Sequence, residues 1–578
     1  MYLIPEQRAI GKENFNAAVG SKLIRRELLK KIISADVTSG NGLGEMYFGY
    51  DNSLSEPIRV GIIGTGDEAG ALIGAINPKF ITVKSIADIR PYSIWRAFNG
   101  DYHDGIRINR PGLMGVYDWK TEDEARKNVK VYGAFQELIE NARQDGIEAV
   151  IIVLPLHLHA QAAIAAMKAG LHVICEKLMA HSVAECKEMA RAQKQTGLLL
   201  AIGYQRHYNI LYNNAAELIR RGLLGDLHYI RAQWQRPSKP CGDLWQPTMP
   251  RAAKPDDPQA DVLDDNLRQW TITLDQLKKS NDQTAAIWEK KVAQVRAQIA
   301  DASVDAKKYG YEDMQLKDAE GNTIYDRPAI EELIRWRLWR RTGAGLMAEL
   351  GSHQFDAARI FLAALHEGRE QLPLTVCAAG SHMLFPADRE VDDHVFCVIE
   401  FPAPGYDADD PMASKKKIGM QFVTVNCNGF ERYGETLFGT EGTMLVEGEE
   451  EALLFRTYET GKKIKVAMGK DAKNGPKPAI QLDEAGDAES TAIGALGTLK
   501  ANRGYVEELE HWAWCIRNRD PENSPRCTPQ IALGDAVIVH TTNMAAREGA
   551  RIEFKKEWFD IESDETPEGV KPDLNRYS

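Results

Sequence analysis

The sequence of 578 residues predicts an α/β protein with an amino-terminal parallel sheet and a carboxyl-terminal part built on an antiparallel sheet. Two observations lead to this prediction. From residue 58 to about residue 205, short apolar runs alternate with segments of helical length and pattern, which is typical of βαβ units and a parallel sheet. After Leu374, runs that alternate or carry β-branched residues lie between turn signals, as the strands of one antiparallel sheet do.

The length exceeds what one hydrophobic core usually supports, so we expect more than one domain. The pattern predicts an amino-terminal extension over residues 1–57, a first domain over 58–205 and a second domain over 206–578. Within the second domain, residues at about 237–334 form an insert that begins with a Pro-rich, polar loop and continues with helical patterns.

The insert carries one apolar helical stripe, in which Trp288, Val292 and Val295 recur at helical spacing, and such a stripe usually packs in a core. Two alternatives remain open for the insert. It could form a subunit contact, or a lid that carries Trp245 or Trp270 toward a ligand.

The amino-acid composition restricts the kinds of partner that the protein is expected to bind. The formal net charge of -12 argues against nucleic acid or an anionic membrane, because both attract basic surfaces. The cysteines lie far apart without a C-x-x-C pair, which favours reduced thiols and no metal site. The run at residues 24–37 contains Arg25-Arg26 but lacks the apolar segment of an export signal, so we expect a surface helix and a cytoplasmic protein.

A glycine-rich turn follows the first apolar strand in the stretch "IRVGIIGTGDEAG". Its register is Gly64-Thr65-Gly66-Asp67-x-Ala69, the G-x-G-x-x-G/A form that binds a dinucleotide. Gly64 permits the tight turn, Gly66 lets the backbone approach a pyrophosphate, and Ala69 packs the helix on the strand. The position between a strand and a helix makes a cofactor site a better interpretation than a bare turn.

An acid at the end of the next strand supports this interpretation. Asp88 lies near the spacing expected of the residue that binds the ribose hydroxyls, and it favours NAD over NADP. Arg90 complicates the choice, because an arginine there can accommodate a 2'-phosphate. We therefore expect NAD, with NADP not excluded.

Several motifs together resemble one family. The stretches "VGIIGTG", "ADI", "VLPLHLHA", "AGLHVICEKL" and "GAGLMAELGSHQFDAARIF" follow one another as in the glucose-fructose oxidoreductase and inositol 2-dehydrogenase (Gfo/Idh/MocA) family. The resemblance runs from about 58 to 236 and resumes at about 335. It implies a Rossmann domain, an α/β domain with a large, mostly antiparallel open sheet, and oxidation or reduction of sugars, polyols or related molecules with a nicotinamide cofactor.

The resemblance also implies roles for individual residues. Lys177 matches the lysine that holds or polarises the reacting carbinol beside the nicotinamide, and Glu176 matches the acid before it, although Leu178 stands where the family has proline. Glu349 stands where the family usually has aspartate, and His353 matches a candidate general base or acid. Their spacing of four puts both on one face of a helix, where they could meet one substrate hydroxyl.

Two further loops match the family. Leu154, Pro155 and His159 match a loop that passes near the cofactor, and packing is a better interpretation of the histidines there than metal binding. Gln205 and Arg206 match residues that approach nicotinamide and substrate. Arg206 could equally be a structural ion-pair partner.

These observations predict an NAD-dependent oxidoreductase that acts on a sugar, polyol or glycoside and forms a homo-oligomer through its carboxyl-terminal sheet. Lys177, His353 and Glu349 are the predicted catalytic residues, and Arg206 is a predicted substrate contact. Two alternatives are an NAD-dependent glycosidase or lyase that oxidises C3 transiently, and a catalytically weak cofactor-binding sensor or assembly protein.

Overall fold

A computed structural model describes residues 3–21, 43–102, 108–237, 245–385, 389–471, 475–482, 503–572 and 574. The surface helix expected over residues 24–37 lies outside these ranges. Among the described helices, none is long and apolar enough to cross a membrane.

The described strands are, in chain order, β1 Ile58–Ile63, β2 Ile81–Ala87, β3 Asp101–Tyr102, β4 Ile108–Arg110, β5 Lys130–Tyr132, β6 Ala149–Ile152, β7 His172–Glu176, β8 Leu200–Gly203, β9 Leu227–Gln235, β10 Met314–Lys317, β11 Thr323–Arg327, β12 Thr375–Ser381, β13 His394–Pro402, β14 Lys417–Val425, β15 Tyr433–Gly439, β16 Thr443–Glu447, β17 Glu451–Phe455, β18 Ile464–Asp471, β19 Gly475–Leu482 and β20 Arg551–Glu553.

The described α-helices are α1 Pro5–Val19, α2 Leu43–Phe48, α3 Asp67–Ala75, α4 Pro91–Asn99, α5 Leu113–Val116, α6 Glu122–Asn128, α7 Phe135–Asp145, α8 His159–Lys168, α9 Val183–Thr196, α10 Ile210–Arg220, α11 Val262–Lys279, α12 Ala285–Ala300, α13 Ala329–Ile334, α14 Ser352–Leu365, α15 Tyr505–Arg517 and α16 Pro529–Glu548.

The first sheet is parallel throughout, with the strand order β5-β2-β1-β6-β7-β8. Its central strands are mostly apolar and mostly buried, as expected of strands that are covered on both faces. The order reverses between β1 and β6, which is the position where open α/β sheets bind ligands at the carboxyl ends of their strands. The alternating pattern of the sequence therefore gave the correct class of sheet.

One face of this sheet is completed by distant parts of the chain. Leu509 and Trp512 of α15 are fully buried in the same apolar cluster as β1 and β2. Tyr50, beside α2, belongs to this cluster and donates a hydrogen bond from its hydroxyl to Glu510 at 2.7 Å. Although α15 falls within the expected second domain, its apolar side chains pack in the core of the first.

The second sheet has the order β17-β16-β15-β9-β14-β13-β12-β20. Every adjacent pair is antiparallel except β9 and β14, which run parallel. Along β13, buried and more exposed side chains alternate, so one face packs inward against helices while the other faces outward. This arrangement confirms the predicted mostly antiparallel sheet, with β9 joining its centre from far upstream in the chain.

The insert folds against the first domain. Helices α11 and α12 form a hairpin, and α12 packs on α4. The side chain of Gln294 accepts a hydrogen bond from the Tyr102 amide at 2.9 Å and donates one to the Tyr102 carbonyl at 3.0 Å. Because both groups are buried, these bonds hold α12 to β3, which forms a separate two-stranded sheet with β4, at a defined position.

The predicted apolar stripe of the insert packs as expected, since Val292 and Val295 are buried. The two tryptophans considered for a lid have other surroundings. Trp245 is buried in the main core beside Phe385, with ring centroids 5.8 Å apart. Trp270 contacts Trp288, at 6.2 Å between ring centroids, on the helical hairpin.

Candidate active site

A cleft of about 940 Å³ lies at the carboxyl ends of the parallel strands. We call it the cofactor cleft. Its inner wall is formed by the turns after β1, β2, β6 and β7, and its outer wall by residues of the insert and the segment that follows it. Its size and position suit a dinucleotide, because parallel sheets bind such ligands where the strand order reverses.

The glycine-rich turn has the shape that pyrophosphate binding requires. Gly64 has a φ of +84°, and a Cβ there would lie 2.4 Å from the carbonyl oxygen of Val153, so the turn admits glycine alone. A Cβ on Gly66 would meet open space in the cleft, which is the room that a bound pyrophosphate would fill. Thr65 and Ala69 are buried behind the turn. These residues fit the dinucleotide that the sequence predicts.

Asp67 begins helix α3 and is held by two arginines. Its carboxylate lies 3.1 Å from Arg96 and 2.9 Å from Arg110. Burial acts to raise the pKa of Asp67, but these arginines outweigh it and lower the pKa. The predicted cofactor residue is therefore an ionised part of the cleft wall whose charge is balanced by protein cations.

Asp88 lines the cleft, at the end where the sequence predicts that a ribose would bind. Its carboxylate accepts hydrogen bonds from the amide of Thr65 at 2.7 Å and the amide of Arg90 at 2.9 Å. The guanidinium of Arg90 points to Asp301 of the insert, with Nη2 at 2.7 Å from Oδ2. Both predicted residues line the cleft, but the arginine is paired with an acid that lies far from it in the sequence.

Lys177 stands at the other end of the cleft, directly after β7. Its ammonium donates a hydrogen bond to the backbone carbonyl of Glu349 at 3.0 Å, and its peptide bond to Leu178 is cis. Glu176 lines the cleft beside it. Burial raises the pKa of Glu176 to about 8, with a further contribution from Glu68. At neutral pH, Glu176 is therefore mostly protonated beside a cationic lysine.

Glu349 faces the cleft from a single π-helical segment, Met347–Gly351. Its carboxylate accepts a hydrogen bond from Arg337 Nε at 2.9 Å. Burial acts to raise the pKa of Glu349, but Lys177 and Arg337 lower it to about 2. A π-helical segment often marks a functional site, and here it places a permanently ionised carboxylate next to the lysine.

His353 lies one turn beyond Glu349 but has different surroundings. It is buried beneath Trp234, with ring centroids 5.4 Å apart, and lies outside the lining of the cofactor cleft. Burial lowers its pKa well below the ordinary value, and the charge of Lys177 lowers it further. The imidazole is therefore neutral, and Glu349 bonds to Arg337 instead of to this histidine.

The loop after β6 contacts the cleft as the resemblance implied. Leu154, Pro155 and His159 all line it. The two ring nitrogens of His159 lie 2.9 Å from the carbonyl oxygens of Leu154 and Leu178. The histidine thus joins the cofactor loop to the loop that carries Lys177, which is a packing role and not a metal-binding one.

Gln205 and Arg206, expected near nicotinamide and substrate, lie instead in a buried ion-pair cluster. Arg206 is fully buried and lies 2.9 Å from both Glu435 and Glu449. It also donates a hydrogen bond to the His353 carbonyl at 2.7 Å, while Gln205 donates one to Glu449 at 3.3 Å. We call this group the Arg206 cluster; it corresponds to the structural alternative for Arg206.

Some residues of the cleft were not predicted from the sequence. Arg337 and Trp336 follow the insert, while Asp301, Tyr309 and Tyr311 belong to it, and all five line the cofactor cleft. The stretch "RWRLWRR" at residues 335–341 combines arginines with tryptophans, and this composition is a sequence feature that could have indicated Trp336 and Arg337. Nothing comparable marks Asp301, because a single acid after a helix is common.

The fold and the cleft together define a nucleotide-binding α/β protein with a second domain placed over the carboxyl end of its parallel sheet. Residues 58–204 match the family model GFO_IDH_MocA, described as an oxidoreductase family with an NAD-binding Rossmann fold. Residues 58–204 are therefore an NAD-binding Rossmann domain of the kind that this family model describes, as the resemblance implied.

Curated relatives match part of the chain. A 4-carboxy-2-hydroxymuconate-6-semialdehyde dehydrogenase of Sphingobium sp. (strain NBRC 103272 / SYK-6) is 33% identical over 20% of this chain and 37% of its own length. The inositol 2-dehydrogenase of Corynebacterium glutamicum (strain R) is 25% identical over 32% of this chain and 48% of its own length. The chain thus matches less than half the length of either relative.

Among solved structures, an aldose-aldose oxidoreductase from Caulobacter crescentus, complexed with glycerol, aligns with a TM-score of 0.48. It is 17% identical, and the alignment covers 86% of this chain and 100% of that chain.

A substitution at Arg206 tests its structural role. Arg206→Met should lower the free energy of unfolding by about 3–5 kcal/mol, because it leaves buried carboxylates without their cation. Chemical denaturation followed by tryptophan fluorescence measures the change. Arg221→Met, at a half-exposed arginine, is the control and should stay within about 0.5 kcal/mol of the parent. Unchanged stability of Arg206→Met would contradict the structural role. In the double variant Arg206→Met/Glu435→Gln, part of the lost free energy of unfolding should be recovered.

The raised pKa of Glu176 predicts a pH-dependent stability. Folding favours the protonated carboxyl, so this group's contribution is complete below its unfolded pKa of about 4.3 and is lost as the pH rises toward about 8. Glu176→Gln should therefore gain melting temperature relative to the parent at pH 9 but much less at pH 5. The exposed Glu140→Gln is the matched control. Parallel pH curves for the parent and Glu176→Gln would contradict this assignment.

Proposed function

We propose that the chain is an NAD-dependent oxidoreductase that acts on the CH–OH group of a sugar, polyol or glycoside. The observation that carries the proposal is the position of Lys177. Its ammonium lies at the end of the cofactor cleft, 3.0 Å from the backbone oxygen of Glu349 in the second domain. A cation at this junction of the two domains is suited to hold a substrate hydroxyl, and the relative named inositol 2-dehydrogenase supports a polyol-like substrate.

The chain's own residues divide the proton chemistry between them. In the proposed mechanism, Lys177 hydrogen-bonds the carbinol oxygen and stabilises negative charge that develops there. His353 is the proposed proton acceptor; burial lowers its pKa, so its imidazole is neutral, and because it lies behind the cleft lining beneath Trp234, this role requires a path for the proton past that side chain. Glu349 remains ionised and, held by Arg337, balances the charge of the lysine. The NAD+ that the domain binds supplies the hydride acceptor.

Two placements support these roles indirectly. His353 is fixed through its backbone by Arg206, and Lys177 through the loop contact of His159 with the Leu178 carbonyl. The reacting groups therefore lie on segments whose positions are set by buried hydrogen bonds, which is the preorganisation that catalysis needs.

Substitution of the lysine tests the mechanism. Lys177→Ala should reduce kcat about 10²- to 10⁴-fold, because it removes the group that contacts the reacting oxygen, while the Kd for NAD+ changes little. Steady-state kinetics and isothermal titration with NAD+ measure the two effects. Lys168→Ala, at the exposed end of α8, is the control and should retain the parent kcat. Turnover of a true substrate by Lys177→Ala at the parent's rate would contradict the catalytic role of Lys177.

The substrate is to be found with the intact protein. Nucleotide released on denaturation is identified first, and the native protein is then incubated with NAD+ and a library of sugars, polyols and glycosides. Accumulation of reduced nicotinamide with one class would support the dehydrogenase and name its substrate. Glycoside cleavage without accumulation of reduced nicotinamide would contradict the dehydrogenase and support the redox-neutral glycosidase. Inactivity on every compound despite NAD+ binding would favour a sensor.

We also propose that the outward face of the second sheet joins two copies of the chain. Phe396 and Val398 of β13 are 44% and 51% exposed, beside the exposed Cys377 of β12. An apolar sheet face of this kind is typical of a contact surface.

Replacing one side chain tests this oligomer. Phe396→Glu should convert the assembly to smaller species in sedimentation velocity, because it places a charge in an apolar contact. Tyr458→Glu, at an exposed residue between β17 and β18, is the control and should leave the assembly unchanged. A parent protein that sediments as a monomer at micromolar concentration would overturn the oligomer.

A further inference from the structure

The ribose end of the cofactor cleft combines an acid and an arginine that favour different dinucleotides. Asp88 follows β2 and, by its charge and its spacing from the glycine-rich turn, is placed to accept the hydroxyls of an unphosphorylated ribose. Arg90 is placed to bind a 2'-phosphate, which arginines recognise well because their planar guanidinium donates two parallel hydrogen bonds. The two residues alone therefore leave the choice between NAD+ and NADP+ open.

The guanidinium of Arg90 is occupied by a third residue. Its Nε and Nη2 lie 3.0 and 2.7 Å from the same oxygen of Asp301, and both groups donate to it. The other oxygen of Asp301 accepts a hydrogen bond from the amide of Tyr92 at 2.9 Å. The side chain of Asp301 is only 2% exposed, while that of Arg90 is 21% exposed, so the carboxylate of this ion pair is shielded from water.

Asp301 cannot turn away easily, because the helix before it is fixed. It directly follows α12, whose Gln294 makes two buried hydrogen bonds with the backbone of Tyr102. Lys290 of the same helix contacts the side chain of Asn99. The insert thus presents this carboxylate to Arg90 as a rigid part of the cleft wall, which also includes Asp88.

We propose that Asp301 determines the dinucleotide specificity of this protein by sequestering Arg90 and so selecting NAD+ over NADP+. A 2'-phosphate would have to displace Asp301 from the guanidinium and would then lie near two carboxylates, Asp88 and Asp301. Both effects oppose the phosphate, whereas the ribose hydroxyls of NAD+ need neither group to move. This inference deepens the NAD-binding assignment, on which it rests.

Binding measurements with the full-length protein test the proposal without any substrate. Isothermal titration gives the Kd of NAD+ and of NADP+ for the parent, Asp301→Asn and the control Asp305→Asn, an exposed acid four residues further on. Asp301→Asn keeps the shape of the side chain and an oxygen for the Tyr92 amide but removes the charge that holds Arg90. We expect it to lower the preference for NAD+ at least about tenfold, through tighter NADP+ binding, while Asp305→Asn behaves as the parent.

Substitution of the arginine identifies the group that is released. In Asp301→Asn/Arg90→Ala the gain in NADP+ affinity should disappear. A gain that persists would assign the phosphate to another cation of the cleft, such as Lys308, and would overturn the sequestration of Arg90. Equal weakening of both dinucleotides by Asp301→Asn, or an unchanged preference, would also overturn the proposal.

A single variant keeps the test valid if Asp301→Asn does not fold. Arg90→Ala alone should leave the weak NADP+ binding of the parent unchanged within about twofold, because the guanidinium is already occupied. A clear loss of NADP+ affinity in Arg90→Ala would show that Arg90 reaches the phosphate and would contradict the proposal. A parent protein that binds neither dinucleotide would refute the cofactor assignment itself, and this result is distinct from a changed preference.

Discussion

The arrangement of the site depends on the Arg206 cluster. Arg206 lies three residues after the last strand of the parallel sheet, and its partners are Glu435 of β15 and Glu449 in the turn between β16 and β17 of the second sheet. A buried cation of this kind is costly to isolate, so the segment that follows the parallel sheet is held where these carboxylates of the second sheet meet it. The same guanidinium bonds the His353 carbonyl, and thereby sets where the second domain meets Lys177.

The charges along the cleft are arranged in balanced groups. Asp67 lies between Arg96 and Arg110, Arg90 faces Asp301, and Glu349 faces Arg337. Two of the three groups use residues of the insert or of the segment directly after it. The insert is therefore part of the cofactor cleft and not an appendage on the second domain. This gives a physical reason for its length: it supplies the outer wall of a site whose inner wall is the common Rossmann domain.

The sequence was informative where a feature is local. The glycine-rich turn and Lys177 after β7 depend on a few neighbouring residues, and the structure places them at the cleft as predicted. Arg206 could not be assigned from the sequence, because its partners follow 229 and 243 residues later. The helices of the insert were visible in their periodicity, but their docking on Tyr102 was not, since periodicity shows which side of a helix is apolar and not what covers it.

The burial of α15 in the first domain affects how the chain folds during synthesis. Trp512 and Leu509 close one face of the parallel sheet, yet they follow its last strand by about 300 residues in the sequence. During synthesis, the strands of this sheet leave the ribosome long before the helix that covers them. An apolar surface thus stays open until the chain is nearly finished, and such a surface is a natural target for chaperones and for aggregation. The segment that matches the family is consequently a unit of homology but not an independent unit of folding.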